Sequence, residues 1–266
     1  YINNQLPNGR RMAGTVFFQQ SETPGLDGDD ASWGVGLQYP SSSGFRTRFA
    51  YKVVEENFNP AMGFVNRSNI EDFTADAGYI HFFNSGPFQS ILTGVDYQRI
   101  DVIDDGLQSE VVAFRIAELE TNSRDSISLN HFSSKEVVRN TFAIFRQPGN
   151  EVYIQPGSYD FGETELSLNS AGQREFSGGI TYRTGDFFNG ERVNISGSFS
   201  WNQSRYFVAS INYDWNDIEL PQGNFTTRLS SVNTQVAFSP TLYWITLAQY
   251  DNISEEIGIN TRLQWI

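Results

Sequence analysis

The 266-residue sequence lacks cysteine, and its histidines are only His81 and His131. Without cysteine, the chain has neither disulfide bonds nor thiolate metal ligands. No apolar run approaches the roughly 18 consecutive residues of a membrane-spanning helix, which excludes a helical membrane protein. A transmembrane β-barrel passes this test, because every second residue of its strands faces the lumen and can be polar.

Positive charge is also scarce. The chain has 18 basic against 31 acidic residues, a formal net charge of −13, and its only lysines are Lys52 and Lys135. This balance argues against electrostatic binding to nucleic acid, so no nucleic-acid partner is expected. No cofactor is expected either. At this length, residues 1–266 are expected to form one large all-β domain.

Polar and apolar residues alternate in two long stretches. This period of two is that of a β-strand, whose successive side chains point to opposite faces. The polar positions are Arg192, Asn194, Ser196, Ser198, Ser200, Asn260, Arg262 and Gln264. The apolar positions are Val193, Ile195, Phe199, Trp201, Ile257, Ile259, Leu263 and Trp265. We expect the first set to line a lumen and the second to face a membrane.

About 14 strand-like stretches follow one another, separated by clusters of Gly, Pro, Asn and Asp. Among them are Asp125 to Phe132 and Glu136 to Arg146, interpreted as two separate strands. Aromatic pairs such as Phe82-Phe83 and Tyr243-Trp244 lie near strand ends, as in the interfacial girdles of a barrel. The pattern predicts an antiparallel up-and-down transmembrane β-barrel. The alternative is a soluble β-sandwich with these aromatic residues in its core.

The stretch from residue 58 to residue 67 contains a recognisable motif. Its residues are Phe58, Asn59, Pro60, Gly63, Phe64 and Arg67. They resemble the "FNP, GFV, R" signature of an uncharacterised bacterial barrel domain that usually follows a module similar to carbohydrate-binding family 9. Three later stretches, residues 154–159, 220–227 and 249–266, match the same domain in the same order.

This resemblance implies a cellular location more than an activity. It implies an outer-membrane β-barrel of a Gram-negative bacterium, a pore or a membrane-anchored platform linked to glycan binding or uptake. The chain would be the C-terminal part of a longer protein, with a further strand after residue 266. The expected partners are membrane lipid, glycans, and a partner protein or the missing N-terminal segment. The resemblance supplies no catalytic residues.

Two further functions remain as alternatives: a structural subunit that holds a partner protein, and a membrane-embedded hydrolase. The hydrolase would need a base beside a nucleophile, and one segment gathers Asp125, Ser126, Ser128, Asn130 and His131. On a strand, however, the serines and Asn130 face away from His131. We therefore expect a polar lumen row here, and no catalytic residue.

Acidic residues offer weak sites. Asp27, Asp29 and Asp30 lie in a glycine-containing loop and could present oxygen ligands to Ca²⁺, but they lack the EF-hand spacing. Adjacent acids occur at positions 55–56, 104–105 and 255–256. Neighbouring strand residues point apart, so these pairs do not predict the two facing carboxylates of a glycosidase. Solvated loops are the expected interpretation.

The signature segment admits a structural and a functional interpretation. In the structural one, which we favour, Pro60 and Gly63 shape a turn between two strands and Arg67 pairs with an acid. In the functional one, the segment folds into the lumen or contacts the absent module. The polar rows likewise either line a water-filled passage or bond to one another or to a plug.

Overall fold

The computed structural model describes residues 2–5, 11–61 and 63–266. Within them the chain forms 17 β-strands. They are β1 (Ile2–Gln5), β2 (Arg11–Gln20), β3 (Ala31–Tyr39), β4 (Gly44–Val54), β5 (Ile70–Phe82), β6 (Phe88–Val102), β7 (Gly106–Thr121), β8 (Ser126–Val138), β9 (Phe142–Gln147), β10 (Asn150–Ile154), β11 (Gly157–Asn169), β12 (Phe176–Phe187), β13 (Gly190–Ser204), β14 (Phe207–Leu220), β15 (Gly223–Ser239), β16 (Leu242–Asp251) and β17 (Ile257–Trp265). No helix in this described part is long and apolar enough to cross a membrane.

Fifteen strands form one antiparallel sheet whose spatial order follows chain order. The exception is β9 and β10, which form a separate two-stranded hairpin, so that β8 pairs with β11. This confirms the predicted fold class, an all-β chain with the antiparallel up-and-down topology of a β-barrel. The main sheet has one strand more than the predicted number of about 14.

Short turns fix much of the register. Residues 221–222 alone join β14 to β15, and residues 148–149 join β9 to β10. Gly149 has a φ of +83°, a conformation that glycine adopts without the steric cost of a side chain. Because a two-residue connection sets which residues face each other, these turns hold the polar and apolar faces in phase from strand to strand.

The longest connections lie at one end of the strands. This long-loop rim carries residues 21–30, 55–69 and 139–156, together with several shorter connections. The opposite end, the short-turn rim, carries shorter connections such as residues 40–43, 122–125, 205–206 and 240–241. The sheet therefore has the unequal rims expected of an outer-membrane barrel.

Strand β8 corrects one detail of the sequence interpretation. It runs without a break from Ser126 to Val138, where two strands were expected. Ser133 and Ser134, which lie between the two expected strands, both stay in the ladder between β7 and β11. The second expected strand, Glu136 to Arg146, is therefore divided between the end of β8 and strand β9 of the hairpin.

Buried apolar side chains gather where inserted segments meet the sheet. One cluster joins the β9–β10 hairpin to β14 and β15. Its fully packed members are Phe145, Val152, Ile154, Ile218, Leu220 and Phe225. A smaller one joins Phe58 of the β4–β5 connection to Val54 and Ile70. No second sheet covers the apolar face within the described residues, so the sandwich alternative is wrong for this part of the chain.

Candidate functional site

The predicted polar and apolar sets lie on opposite faces of the sheet. Residues directly opposite each other in neighbouring strands share a face. Ser200 is opposite Ser210, which is opposite Asn233 on β15. Asn233 is opposite Leu247, which is opposite Asn260 on β17. The two patterns, more than 50 residues apart in the chain, therefore belong to the same two faces.

We name these faces by their predicted residues. The polar face carries Arg192, Asn194, Ser196, Ser198, Ser200, Asn260, Arg262 and Gln264. The apolar face carries Val193, Ile195, Phe199, Trp201, Ile257, Ile259, Leu263 and Trp265. That the first face lines a lumen and the second contacts lipid remains a prediction.

The apolar face exposes large hydrophobic side chains from β2 to β17. Val16 is 72% exposed, and Trp265 is 84% exposed. Others on this face are Phe18, Val35, Phe45, Phe49, Tyr79, Ile180, Ile211, Val232, Trp244 and Ile259. An apolar surface that runs from strand to strand in this way is unusual for a soluble monomer, which rarely exposes apolar patches of more than a few hundred Å².

Ion pairs connect neighbouring strands across the polar face. Arg48 of β4 lies 3.0 Å from Asp76 of β5, and four residues farther along β4 Lys52 lies 3.4 Å from Asp72. Farther round the sheet, Arg115 of β7 pairs with Asp96 of β6 at 3.1 Å. These pairs neutralise charges that lie against the wall and leave it polar.

Glu163 is the most buried charged group of the polar face, with 3% of its side chain exposed. Arg192 donates to both of its carboxylate oxygens, at 2.7 and 2.6 Å, and Arg183 approaches to 3.0 Å. The two guanidinium groups also lie over the rings of Phe132 and Phe187. A carboxylate held in this way is fixed in position and cannot readily move or exchange partners.

The β9–β10 hairpin folds back over the polar face. It leaves the sheet after β8, yet its apolar side chains contact β14 and β15 on the far side of β11, β12 and β13. Phe145 stacks on Phe225 with ring centres 4.5 Å apart, and Val152 and Ile154 are fully buried. The hairpin therefore covers part of the polar face near the long-loop rim.

Polar contacts tie the hairpin tip to the far strands. Gln147 donates to the backbone oxygens of Asn252 and Ile253, at 2.9 and 3.2 Å. Asn150 donates to the backbone oxygen of Asn224 at 3.3 Å. Because both ends of the tip are anchored, the hairpin is a fixed part of the fold.

The signature segment joins β4 to β5, as its structural interpretation predicted. Pro60 accepts a hydrogen bond from the backbone of Gly63, which closes a tight turn. Asn59 is anchored by its backbone N–H, which donates to Ser21 Oγ at 2.7 Å. Arg67 donates to the amide oxygen of Gln108 at 3.3 Å, and its positive charge also interacts with the Glu136 carboxyl group.

The same segment also reaches the polar face. Phe58 is buried against Val54 and Ile70 there, whereas Phe64 is 89% exposed at the long-loop rim. Met62, within the motif, lies outside the described residues. The segment thus combines a buried anchor with an exposed aromatic side chain.

The histidine candidates do not form a catalytic group. His131 lies on the apolar face, with Nδ1 3.0 Å from Thr164 Oγ1. Ser126, Ser128 and Asn130 lie on the polar face, as the strand pattern predicted. The Asp125 carboxylate instead accepts a hydrogen bond from the Arg174 guanidinium group at 2.7 Å. His81 packs edge-on against Phe83 near the short-turn rim.

The acidic candidates do not assemble a metal site. Asp30 accepts a hydrogen bond from Gln20, and the Asp29 backbone oxygen accepts one from Asn57. Within residues 2–5, 11–61 and 63–266, no three acids or histidines come close enough to hold an ion. Asp27 therefore has no cluster to join. Glu55 accepts from the backbone of Ala31, which is a structural role.

Two features of the site escaped sequence reasoning. The short strand β10, with buried Val152 and Ile154, was not identified from the sequence. The partners of the hairpin, Ile218 and Phe225, are apolar residues on the polar face. An apolar residue at a polar position near a strand end is the signal that could have indicated the covering segment.

No family model matches the chain, and no curated protein matches it. Solved structures of OmpT, an outer-membrane protein of Vibrio cholerae, are similar to it. The outer-membrane expressed form aligns with a TM-score of 0.43 at 11% identity, over 90% of this chain and 87% of that one. The in-vitro folded trimer form gives 0.44 at 11% identity, over 96% and 95%. The loop L8 deletion mutant gives 0.46 at 10% identity, over 95% and 99%.

Proposed function

We propose that the chain forms the wall of an outer-membrane β-barrel in a Gram-negative bacterium, with its apolar face in lipid and its polar face around a water-filled passage. The separation of the two faces carries this proposal. Ile257, Ile259 and Leu263 are each about two-thirds exposed, while Asn260 and Arg262 alternate with them on the other face. Lipid is the solvent that makes such exposure favourable.

The height of the apolar band fits a bilayer. From Val193 to Trp201 the strand rises roughly 26 Å along its own axis, at about 3.3 Å per residue, and less after tilting. Outer-membrane barrels carry a band about 25 Å tall. Toward the long-loop rim the apolar face then becomes charged, with Arg99 opposite Glu110 and Lys135 opposite Asp160. These rows mark the level of the lipid headgroups.

The unequal rims support one orientation of the proposed barrel. In barrels of this type the short turns face the periplasm and the longer loops face the exterior. The long-loop rim, with residues 21–30 and 55–69, therefore faces outward. The hairpin then narrows the passage near its external mouth.

The glycan link extends the pore proposal. It is supported by the family resemblance of residues 58–67 and by the hydroxyl and amide groups of the polar face, such as Ser196, Ser198 and Asn212. The passage would admit glycan fragments, or the barrel would anchor a glycan-binding module at the cell surface.

A second candidate function is a platform for a partner protein. Phe64 is 89% exposed, and Leu26 of the neighbouring loop is 47% exposed, both at the outward rim. Hydrogen bonds from Asn57 to Gly28 and from Asn59 to Ser21 hold the two loops together. Exposed apolar side chains on an anchored loop pair favour protein contact.

Bilayer recording tests the pore. The natural full-length protein, reconstituted in planar bilayers, should give stable conductance steps, and it should migrate heat-dependently in detergent gels. Recovery in the soluble fraction without such migration would contradict the barrel. A silent bilayer after verified insertion would favour the platform.

A further inference from the structure

Neutral polar side chains concentrate in one region of the polar face. They surround a recess of about 320 Å³ on β11 to β15. The side chains that define it are Asn169, Thr181, Ser196, Ser198, Asn212 and Ser231. This volume lies at the lower end of small-molecule sites, which span roughly 300–1,000 Å³.

One carboxylate, that of Asp214, faces this recess. Asn216 donates to one of its oxygens at 2.6 Å, and Asn194 donates to the other at 3.1 Å. A carboxylate offers about four acceptor positions, so these two contacts orient the group and leave acceptors for a ligand. The two amides thus orient the Asp214 carboxylate so that it can accept hydrogen bonds from a ligand.

The floor of the recess depends on a glycine. A Cβ at Gly179 would lie 2.2 Å from Asn169 Oδ1, so any other residue there would displace the Asn169 side chain. Ser167 and Thr181 share a hydrogen bond of 2.8 Å, whereas the hydroxyl groups of Ser196 and Ser198 have no partner within the described residues. Free donors and acceptors therefore line the space.

The chemistry of the lining selects the ligand. No lysine or arginine lines the recess, and Asp214 repels anions. A single carboxylate is a poor site for a divalent cation, which takes six or more oxygen ligands. A sugar, by contrast, presents hydroxyl groups that both donate and accept, and the side chain of Leu229 offers apolar surface to its C–H groups.

We propose that this recess is a binding subsite for a neutral sugar. The proposal rests on the passage proposed above and names what it selects. The hairpin packs on Ile218 of β14. Asn212 precedes Ile218 by six residues on the same strand, and so lies roughly 20 Å closer to the short-turn rim. A solute that passes the hairpin meets the recess next.

The test uses single-channel recording of the natural full-length protein with maltotriose, a neutral trisaccharide, and with trigalacturonate, a charged one. Maltotriose should block the current, and trigalacturonate should not. Asp214→Asn and Asn212→Ala should each weaken the block roughly tenfold or more, because each removes hydrogen bonds to the ligand. Asp76→Asn is the matched control, since it makes the same charge change on the same face outside the recess.

The outcomes separate the two proposals. A conducting channel that maltotriose does not block, or one in which Asp76→Asn weakens the block equally, overturns the subsite and leaves the pore. If the bilayer is silent although the barrel has inserted, the pore fails. The subsite is then decided by calorimetric titration of the detergent-solubilised protein with maltotriose, in which the absence of Asp214-dependent binding overturns it.

Discussion

Arg192 reaches across an entire strand to hold Glu163. The two residues lie on β13 and β11, and Gly185 of β12 stands directly opposite both of them. A Cβ at Gly185 would lie 2.1 Å from the backbone oxygen of Gly162, and its φ of +151° also favours glycine. Gly185 adds no side chain between the two residues, whose two-point contact measures 2.7 and 2.6 Å.

Loss of the Glu163 charge should destabilise the barrel strongly. Glu163→Gln leaves Arg183 and Arg192 crowded without their carboxylate, which typically costs about 3–5 kcal/mol for a buried group. Asp160→Asn is the control, because its pair with Lys135 is exposed and should contribute less than about 1 kcal/mol. Denaturant unfolding from lipid vesicles measures both. Equal losses would show that Glu163 is not the anchor.

Truncation of Phe145 should open the passage. Phe145→Ala removes a buried ring stacked on Phe225, a loss of about 3–5 kcal/mol, which releases the hairpin from β14 and β15. Single-channel conductance should rise. Phe142→Ala, in the same hairpin but 42% exposed, should change it little. Unchanged conductance in correctly folded Phe145→Ala would place the hairpin outside the conduction path.

An arginine on the apolar face should be costly although the site is exposed. Ile211 is 52% exposed, so in a water-soluble protein Ile211→Arg would be nearly neutral. In lipid it should cost about 2–4 kcal/mol. Ser210→Arg, on the polar face one residue away, should cost much less. The free energy of unfolding of both variants would be measured in lipid vesicles. If neither substitution changes it, the apolar face does not contact lipid.

Asp125 should contribute stability that acid removes. The Arg174 guanidinium, the Ala171 N–H and the Ser123 hydroxyl hold the pKa of the Asp125 carboxyl below its usual value. This contribution is complete above the unfolded pKa of about 3.9 and is lost as the pH falls through the lower folded pKa. The stability difference between wild type and Asp125→Asn should therefore shrink below about pH 4. The stability difference between wild type and Arg174→Gln should also shrink below about pH 4. A difference that does not change with pH would contradict the linkage.

The sequence predicts the sheet well because each strand is two-faced on its own. The alternation at residues 192–201 needs no distant contact to be recognised, and the register continues it into the neighbouring strands β12 and β14. The hairpin is different. Its position depends on Phe225 and Ile218, more than 60 residues later in the chain, so local pattern cannot reveal where it packs.

The candidate site was predicted only in part. The polar row with Ser196 and Ser198 was identified, but the recess also needs Asn169 and Ser231 from strands that only the ladder brings together. The Glu163 anchor likewise depends on Gly185 standing between two strands. Contacts between residues of different strands depend on how the strands pair, so they produce no sequence motif with a fixed spacing.

Cysteine scanning of β13 tests the central claim most directly, because residues 1–266 contribute no background thiol. Single cysteines at positions 193 to 201 of the reconstituted protein would be treated with a water-soluble, membrane-impermeant maleimide. Separately, fluorophores on the same cysteines would be tested for quenching by brominated lipids. We expect reaction from water at Asn194, Ser196 and Ser198, and quenching by lipid at Val193, Ile195 and Phe199. Equal access from water at every position would contradict the assignment of the apolar face to the membrane.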